Sequence, residues 1–113
     1  MADVLRQRTC VPCEGGVPSL SPERVRELLK EVPGWEAGPA CMKITRIWKF
    51  KDFRAAMMFV NRAAEIAEEE QHHPDVHIFY NRVTLELWTH AIGGLSENDF
   101  IVAAKINAMP GSD

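Results

Sequence analysis

Features that would place the chain in a membrane or on a nucleic acid are missing from its 113 residues. No apolar run approaches the roughly 20 residues that a membrane-spanning helix needs. Residues 1–8 carry charges without an apolar segment behind them, so we expect no secretory signal. The 13 basic residues form no block or stripe, and the net charge is −3, which argues against direct nucleic-acid binding. We therefore expect a cytoplasmic protein with no membrane partner.

Cysteine is scarce, and several catalytic motifs are absent. The count of three cysteines is odd, which is typical of free thiols in a reducing compartment. Cys10 and Cys13 have the spacing of a metal or redox pair, but no second pair accompanies them. There is no HExxH zinc motif, no glycine-rich phosphate loop, and no serine or cysteine placed beside a base. Zinc held by His72, His73 and His90 is conceivable, but adjacent histidines rarely reach one ion together.

The composition indicates one ordinary globular domain. Hydrophobic residues make up 46% and charged residues 26% of the chain, and 113 residues suffice for a single core. Residues 1–18 show no sustained hydrophobic period, and we interpret them as a flexible N-terminal arm. We assign residues 19–113 to the folded domain.

Capping signals and hydrophobic periods predict three helices and four strands. The first helix begins after Ser21 and ends at Pro33-Gly34. A short strand begins near Trp35, and a second strand covers 42–50, where Arg46 interrupts the apolar side. A long helix follows over 52–71. A hairpin around Asn81 pairs strands 76–80 and 82–90, and a capping box of Ser96 and Asp99 starts the last helix. The order α-β-β-α-β-β-α predicts an α+β fold, in which three helices pack on one face of a four-stranded antiparallel sheet.

The second helix has a wide apolar stripe that is rich in alanine. We predict that its buried face consists of Phe53, Met57, Val60, Ala64 and Ala67, widened by Ala56 and Ala63. Small side chains leave room for a close neighbour, and a domain of this size buries a limited fraction of its surface. The sequence therefore favours a homodimer or homotetramer.

Histidine provides the clearest candidate chemistry. Three of the four histidines, His72, His73 and His77, fall within six residues, and Pro74 places the first two at the helix exit. Imidazole can both donate and accept a proton near neutral pH. Glu68 precedes His72 by four residues and is expected to bind that ring. A simpler interpretation is that the pair only complements the negative end of the helix dipole.

The fourth histidine follows a predicted strand. His90 shares the parity of Glu86 and Trp88, on the side opposite Leu85. It joins the other histidines only if the strand ends or bends before it, which Gly93-Gly94 favours. We expect His77 to be a surface residue of its strand.

Taken together, these residues resemble the pterin-4a-carbinolamine dehydratase family over about residues 20–108. The later part of the pattern is Glu68, His72-His73-Pro74, Tyr80, Trp88-Thr89-His90, and Gly94-Leu95-Ser96-Glu97 with Asp99. Pro33-Gly34-Trp35 and Phe50-Lys51-Asp52-Phe53 are similar to earlier family landmarks. The combined spacing is far more specific than any one segment.

The resemblance implies that the protein removes water from 4a-hydroxytetrahydropterin to give quinonoid dihydropterin, without a metal or an organic cofactor. The three family histidines correspond to His72, His73 and His90. We expect His72 and His90 to be the acid–base pair and His73 to hold the pterin; the residues do not choose which is acid and which is base. Glu68, Pro74 and Thr89 are the expected substrate-binding residues. For Asp99, the capping box is a sufficient explanation.

Two other functions accompany this hypothesis. Some family members also serve as dimerisation cofactors of a homeodomain transcription factor, so a non-catalytic dimerisation or regulatory module with a protein partner is one alternative. A dehydratase-like protein of molybdopterin metabolism is the other. The sequence chooses neither the physiological pterin nor the oligomer size.

Overall fold

The computed structural model describes residue 5 and residues 7–10 and 18–111. It confirms the predicted α+β fold and the order of its elements. The helices and strands are α1 (Pro22–Leu29), β1 (Glu36–Ala37), β2 (Ile44–Lys49), α2 (Phe53–Glu70), β3 (Asp75–Phe79), β4 (Arg82–Leu87) and α3 (Glu97–Asn107). Short 3-10 turns lie at Pro39–Cys41 and His90–Ile92. Within the described ranges, no helix has the length and apolarity to cross a bilayer.

The four strands form one antiparallel sheet in the order β1-β2-β4-β3. Alternation along β4 is as predicted: Val83, Leu85 and Leu87 are fully buried, whereas Thr84 and Glu86 are half-buried. Side chains of a strand point alternately to its two faces, so one face of β4 lies in the core. The central position of β4 brings its carboxyl end, and the residues that follow it, close to the helices.

Arg46, the residue that interrupts the apolar side of β2, has a structural role. Its guanidinium lies 4.7 Å from the centre of the Trp48 ring. Its Nη1 donates to Oδ1 of Asn107, the last residue of α3, at 2.6 Å. The aliphatic part of Arg46 and its planar guanidinium thus cover the Trp48 ring, while one N–H of the guanidinium binds the Asn107 side chain.

The buried face of α2 is offset from the predicted stripe. The buried residues are Ala56, Phe59, Ala63 and Ala67, whereas Phe53 is 49% exposed and Ala64 is exposed. The reason is the aromatic cluster on the sheet: the Phe59 ring lies 4.7 Å from Trp48 and 5.1 Å from Phe50. Packing of one large ring against two others selects the rotation of the helix.

The ends of α2 and α3 decide where the histidines lie. Asp52 caps the start of α2 by accepting the Ala55 N–H at 2.9 Å. At the other end Gln71 is left-handed (φ 54°, ψ 38°), a conformation that terminates helices. The chain therefore leaves the helix axis immediately before His72. The predicted capping box of Ser96 and Asp99 starts α3.

Described residues near the N-terminus contact the domain. Leu5 is 2% exposed and belongs to the hydrophobic core, and the half-buried Cys10 packs against that core. The division into a flexible arm (1–18) and a domain (19–113) stays a prediction, and residues 1–4, 6 and 11–17 of that segment lie outside the described part of the chain.

Candidate active site

One pocket of about 660 Å³ opens where α2 ends, β4 ends and α3 begins. It contains all three histidines that the sequence predicts for catalysis, since the strand ends at Leu87 and His90 lies in the following turn. The residues lining it are Thr9, Cys10, Glu69, Glu70, Gln71, His72, His73, Pro74, Asp75, Trp88, Thr89, His90, Ala91 and Asn98. His77 lies elsewhere, on β3, where its Nε2 is 3.2 Å from Glu86.

His72 is paired with a buried carboxylate. Its Nε2 lies 2.6 Å from Oδ1 of Asp99, and the exposed fractions of the two side chains are 12% and 0%. Such a bond fixes the orientation of the imidazole. His72 is therefore held in one orientation and is not a freely rotating surface histidine.

Asp99 does more than cap its helix. Its Oδ2 accepts the Ser96 N–H at 3.0 Å and the Thr89 hydroxyl at 2.9 Å. With His72 on Oδ1, the buried carboxylate has three partners. The predicted capping box is confirmed, but the bonds to His72 and Thr89 go beyond it, so the cap is not the full explanation of Asp99. The same side chain starts α3 and orients a candidate catalytic ring.

Glu68 binds the second histidine instead of the first. Its Oε2 lies 2.6 Å from Nε2 of His73, and both side chains are largely exposed. The expected contact with His72 depended on regular helical geometry over four residues. Because Gln71 turns left-handed, His72 leaves the helix face and His73 takes its place beside Glu68. Glu68 is thus bonded to His73 but is not one of the residues that line the pocket.

His90 is stacked on Trp88. The ring centres are 3.8 Å apart and the planes are inclined by 24°. The indole Nε1–H of Trp88 in turn donates to Oδ2 of Asp75 at 3.1 Å. Asp75 is the first residue of β3 and follows directly after Pro74. This chain of contacts ties the third histidine to the turn that carries the other two.

The two remaining candidates for substrate binding line the pocket in different ways. Thr89 is 4% exposed; its hydroxyl donates to Asp99 and lies 2.7 Å from the Ser96 hydroxyl. Its main contribution is therefore to hold Asp99. Pro74 contributes apolar surface beside His73, and direct substrate contact by either residue stays a prediction.

Two groups at the edge of the pocket, Cys10 and Glu70, have shifted pKa values. Burial raises the pKa of the Cys10 thiol to about 12, and the Glu70 charge adds to the shift. Burial also acts to raise the pKa of Glu70, but the Cys10 N–H and the Lys105 ammonium together outweigh it and lower that pKa. Cys10 is consequently a neutral thiol at neutral pH, which makes it a poor nucleophile and a poor metal ligand.

The side-chain partners of the three histidines differ. His72 faces Asp99, His73 faces Glu68, and His90 faces the Trp88 ring. Across the described ranges, no three histidine, cysteine, aspartate or glutamate side chains are grouped to hold a metal ion. Cys13, the other half of the cysteine pair, lies outside the described residues.

The sequence matches a known family over most of its length. Residues 18–109 match the sequence model of the family described as "Pterin 4 alpha carbinolamine dehydratase". This chain belongs to the pterin-4a-carbinolamine dehydratase family. The match spans the three histidines of the pocket and every strand of the sheet, and it confirms the predicted resemblance.

Members of the pterin-4a-carbinolamine dehydratase family with similar sequences come from several bacteria. A protein of Stenotrophomonas maltophilia (strain K279a), provisionally named a pterin-4-alpha-carbinolamine dehydratase, is 47% identical over 111 residues and 96% of each chain. A provisionally named dehydratase of Nitrosomonas eutropha is 48% identical, covering 93% of this chain and 92% of the other. A crystal structure titled "transcriptional coactivator/pterin dehydratase", from Brucella melitensis, has a TM-score of 0.75 and 40% identity, covering 80% of this chain and 96% of that one.

Sequence reasoning missed three residues of this dehydratase-family site. Trp88 and Asp99 were part of the family pattern but were given no role beside the histidines, and Asp75 was not considered. The adjacent Trp88-Thr89-His90 signal was visible. The contact between His72 and Asp99 joins residues 27 positions apart, which no local pattern indicates.

Proposed function

We propose that the protein catalyses the dehydration of 4a-hydroxytetrahydropterin to quinonoid dihydropterin. The observation that carries the proposal is the pocket in which three histidines meet, one of them bonded to a buried carboxylate. Family membership supports a dehydratase, and the site supports proton transfer by imidazole. The proposed physiological role is tetrahydrobiopterin recycling or related pterin metabolism.

The reaction needs two proton transfers and no electron transfer. The C4a–O bond breaks as an acid protonates the hydroxyl, which leaves as water. A base removes the N5 proton, and the N5–H electron pair forms the N5=C4a double bond. The two proton transfers require an acid and a base at fixed positions in one pocket. His72 and His90 are the two groups, and no further reactant enters the balance.

The partner of His72 favours the role of base. An ionised carboxylate can only accept hydrogen bonds, so neutral His72 carries its proton on the Nε2 that faces Asp99. Its Nδ1 is then left to accept a proton. The imidazolium that forms is stabilised by Asp99. Within the proposal, His72 removes the N5 proton and His90, stacked on Trp88, protonates the leaving hydroxyl.

His73 has the role of holding the pterin. Its side chain is 54% exposed and is bonded to the carboxylate of an exposed glutamate, Glu68. A ring with this much exposure suits a contact with a ligand rather than a finely positioned proton transfer. Pro74 and Thr89 complete the proposed binding surface.

The charge of the pocket favours an uncharged pterin over a phosphorylated one. Of the described residues that line it, none is lysine or arginine, while Glu69, Glu70 and Asp75 are acidic. Lys105 is nearby, but it is bound to Glu70 at 2.6 Å. Phosphate recognition normally uses free basic side chains or helix N-termini, and the N-terminus of α3 at this pocket is already capped by Ser96 and the Asp99 carboxylate. The pocket therefore suits 4a-hydroxytetrahydropterins better than molybdopterin, the alternative substrate.

A regulatory function is the second candidate. The Brucella melitensis structure is titled both a transcriptional coactivator and a pterin dehydratase. Large apolar side chains are exposed on α2 and on β3, among them Met58 at 53% and Phe79 at 57%. These support a proposal of self-association as a homodimer or homotetramer, or of binding to a protein partner. Both are compatible with catalysis, and we propose a cytoplasmic location for either.

A direct assay tests the proposed function. Freshly generated 4a-hydroxytetrahydrobiopterin loses water slowly by itself, so the protein should accelerate formation of the quinonoid product, followed by its ultraviolet absorbance. The rate should be proportional to protein concentration and unchanged by chelator. The His72→Ala/His90→Ala double variant is the control. If the unmodified protein forms the quinonoid product no faster than this double variant does, the proposal is refuted.

A further inference from the structure

The short segment of residues 8–10, here called the N-terminal strap, lies against the active-site pocket although the matched family region begins at residue 18. Thr9 and Cys10 contribute to the pocket lining. Leu5, which precedes the strap in the chain, is 2% exposed in the core. The strap is therefore adjacent to the substrate region without belonging to the part of the chain that the family match covers.

Three contacts hold the N-terminal strap. Arg8 Nη1 donates to Glu97 Oε1 at 2.6 Å, on the exposed side. The Cys10 N–H donates to Glu70 Oε1 at 2.8 Å, and the Cys10 Sγ donates to the Asn98 carbonyl at 3.6 Å. The contacts reach the end of α2 and the start of α3, the two segments that position His72 and Asp99.

Glu70 is the central anchor. Its side chain is 8% exposed, and its second oxygen accepts the Lys105 ammonium at 2.6 Å. Lys105 lies on α3, so one carboxylate joins α2, α3 and the strap. A buried carboxylate with both a cation and a backbone N–H is well satisfied, and it is ordered enough to hold the Cys10 backbone in one place. None of these groups is needed for the proton transfers proposed for the histidines.

We propose that the N-terminal strap is a wall of the substrate pocket and that Glu70 is the positioning residue that docks it there. This inference rests on the proposed pterin function. The wall contacts the bound pterin away from the reacting atoms, so it contributes to substrate binding and hardly to the chemical step. Loss of the wall accordingly raises KM and leaves kcat near its original value.

The first test compares two substitutions at one position. Cys10→Pro removes the N–H that Glu70 accepts, whereas Cys10→Ala keeps it. Losing this bond in Cys10→Pro should raise KM for 4a-hydroxytetrahydrobiopterin about three- to tenfold. The kcat of this variant should stay within about twofold of that of the unmodified protein. Cys10→Ala keeps the bond to Glu70 and loses only the Sγ contact to Asn98, so its KM should rise less than that of Cys10→Pro. Equal KM values in the two variants would overturn the proposal.

The second test uses the unmodified protein and needs no turnover. Alkylation of Cys10 and Cys41 is followed by peptide mass spectrometry with and without the stable ligand 7,8-dihydrobiopterin. Ligand binding is monitored separately by the tryptophan fluorescence of the protein. Cys41, a free thiol in the Pro39–Cys41 turn, is the internal control. Bound ligand should slow alkylation of Cys10 at least about threefold and leave Cys41 unchanged. If the ligand binds without protecting Cys10, the proposal that the strap is a wall of the pocket is wrong. If neither binding nor turnover is observed, both the proposed function and the proposed wall are wrong.

Discussion

His72 and Asp99 are joined at 2.6 Å by Nε2 and Oδ1, although 27 residues separate them in the chain. The histidine follows the C-terminal end of α2, and the aspartate lies in the first turn of α3. The pair links helix capping to the proposed chemistry, because Asp99 also holds Ser96 and Thr89. A change at Asp99 is therefore expected to act on the tautomer of His72, the proposed base.

Asp99→Asn should lower kcat roughly a hundredfold or more. The amide oxygen can keep the bonds to Ser96 and Thr89, which leaves the amide N–H₂ facing His72. His72 must then accept at Nε2 and carry its proton on Nδ1, so its base nitrogen is lost. The measurement is kcat together with the thermal melt. Asp52→Asn, at the cap of α2, is the matched control and should leave kcat unchanged; equal losses in both variants would contradict the tautomer argument.

The four histidines should separate into three classes when each is replaced by alanine. His72→Ala and His90→Ala should each lower kcat on the order of a hundredfold, since each removes one proton-transfer group. His73→Ala should raise KM more than it lowers kcat, because this ring holds the substrate. His77→Ala is the control, since its ring contacts Glu86 outside the pocket. Steady-state kinetics check the set, and similar values for His72→Ala and His77→Ala would exclude the imidazole mechanism.

Trp88 should act through His90. Trp88→Leu removes the ring on which His90 stacks and should lower kcat on the order of tenfold. Trp88→Phe keeps an aromatic face but loses the bond to Asp75, so its kcat should lie between those of Trp88→Leu and the unmodified protein. The pH dependence of kcat is measured for each, since a ring that only fills space would not change it. Phe79→Leu, an exposed aromatic position, serves as control.

Glu70 should make the stability of the protein depend on acid pH. Its folded-state pKa is lowered, so the unfolded chain binds the proton more readily than the folded one. The stabilisation is therefore present above about pH 4.3, the ordinary value for glutamate, and is lost as the pH falls through the lower folded value. Denaturant melts between neutral and acid pH should show a smaller decline for Glu70→Gln. Glu65→Gln, at an exposed position of α2, should decline like the unmodified protein.

Leu5 should contribute to the stability of the domain. It is 2% exposed within the core, and truncation of a buried leucine to alanine costs about 2–5 kcal/mol. Leu5→Ala should lower the free energy of unfolding by an amount in this range, measured by denaturant titration. Gln7→Ala, two residues away and exposed, is the control. No difference between these two variants would support a domain that begins at residue 19.

The sequence predicted the helices and strands well because their signals are local. Capping residues, the alternation along β4 and the turn at Asn81 each depend on a few neighbouring residues. The buried face of α2 was less predictable, since Phe53 and Phe59 are equally apolar in the sequence. Only the positions of Trp48 and Phe50 on the sheet favoured Phe59.

The sequence by itself determined the family, the order of the elements and which histidines carry the candidate chemistry, because residue type and spacing are enough for these. Tertiary structure alone decided the partner of each histidine. The left-handed Gln71 turned His72 away from Glu68 and towards α3, and the end of β4 at Leu87 let His90 stack on Trp88. Such contacts join residues from separate elements, and the packing of those elements, a property of the whole chain, determines which side chains meet.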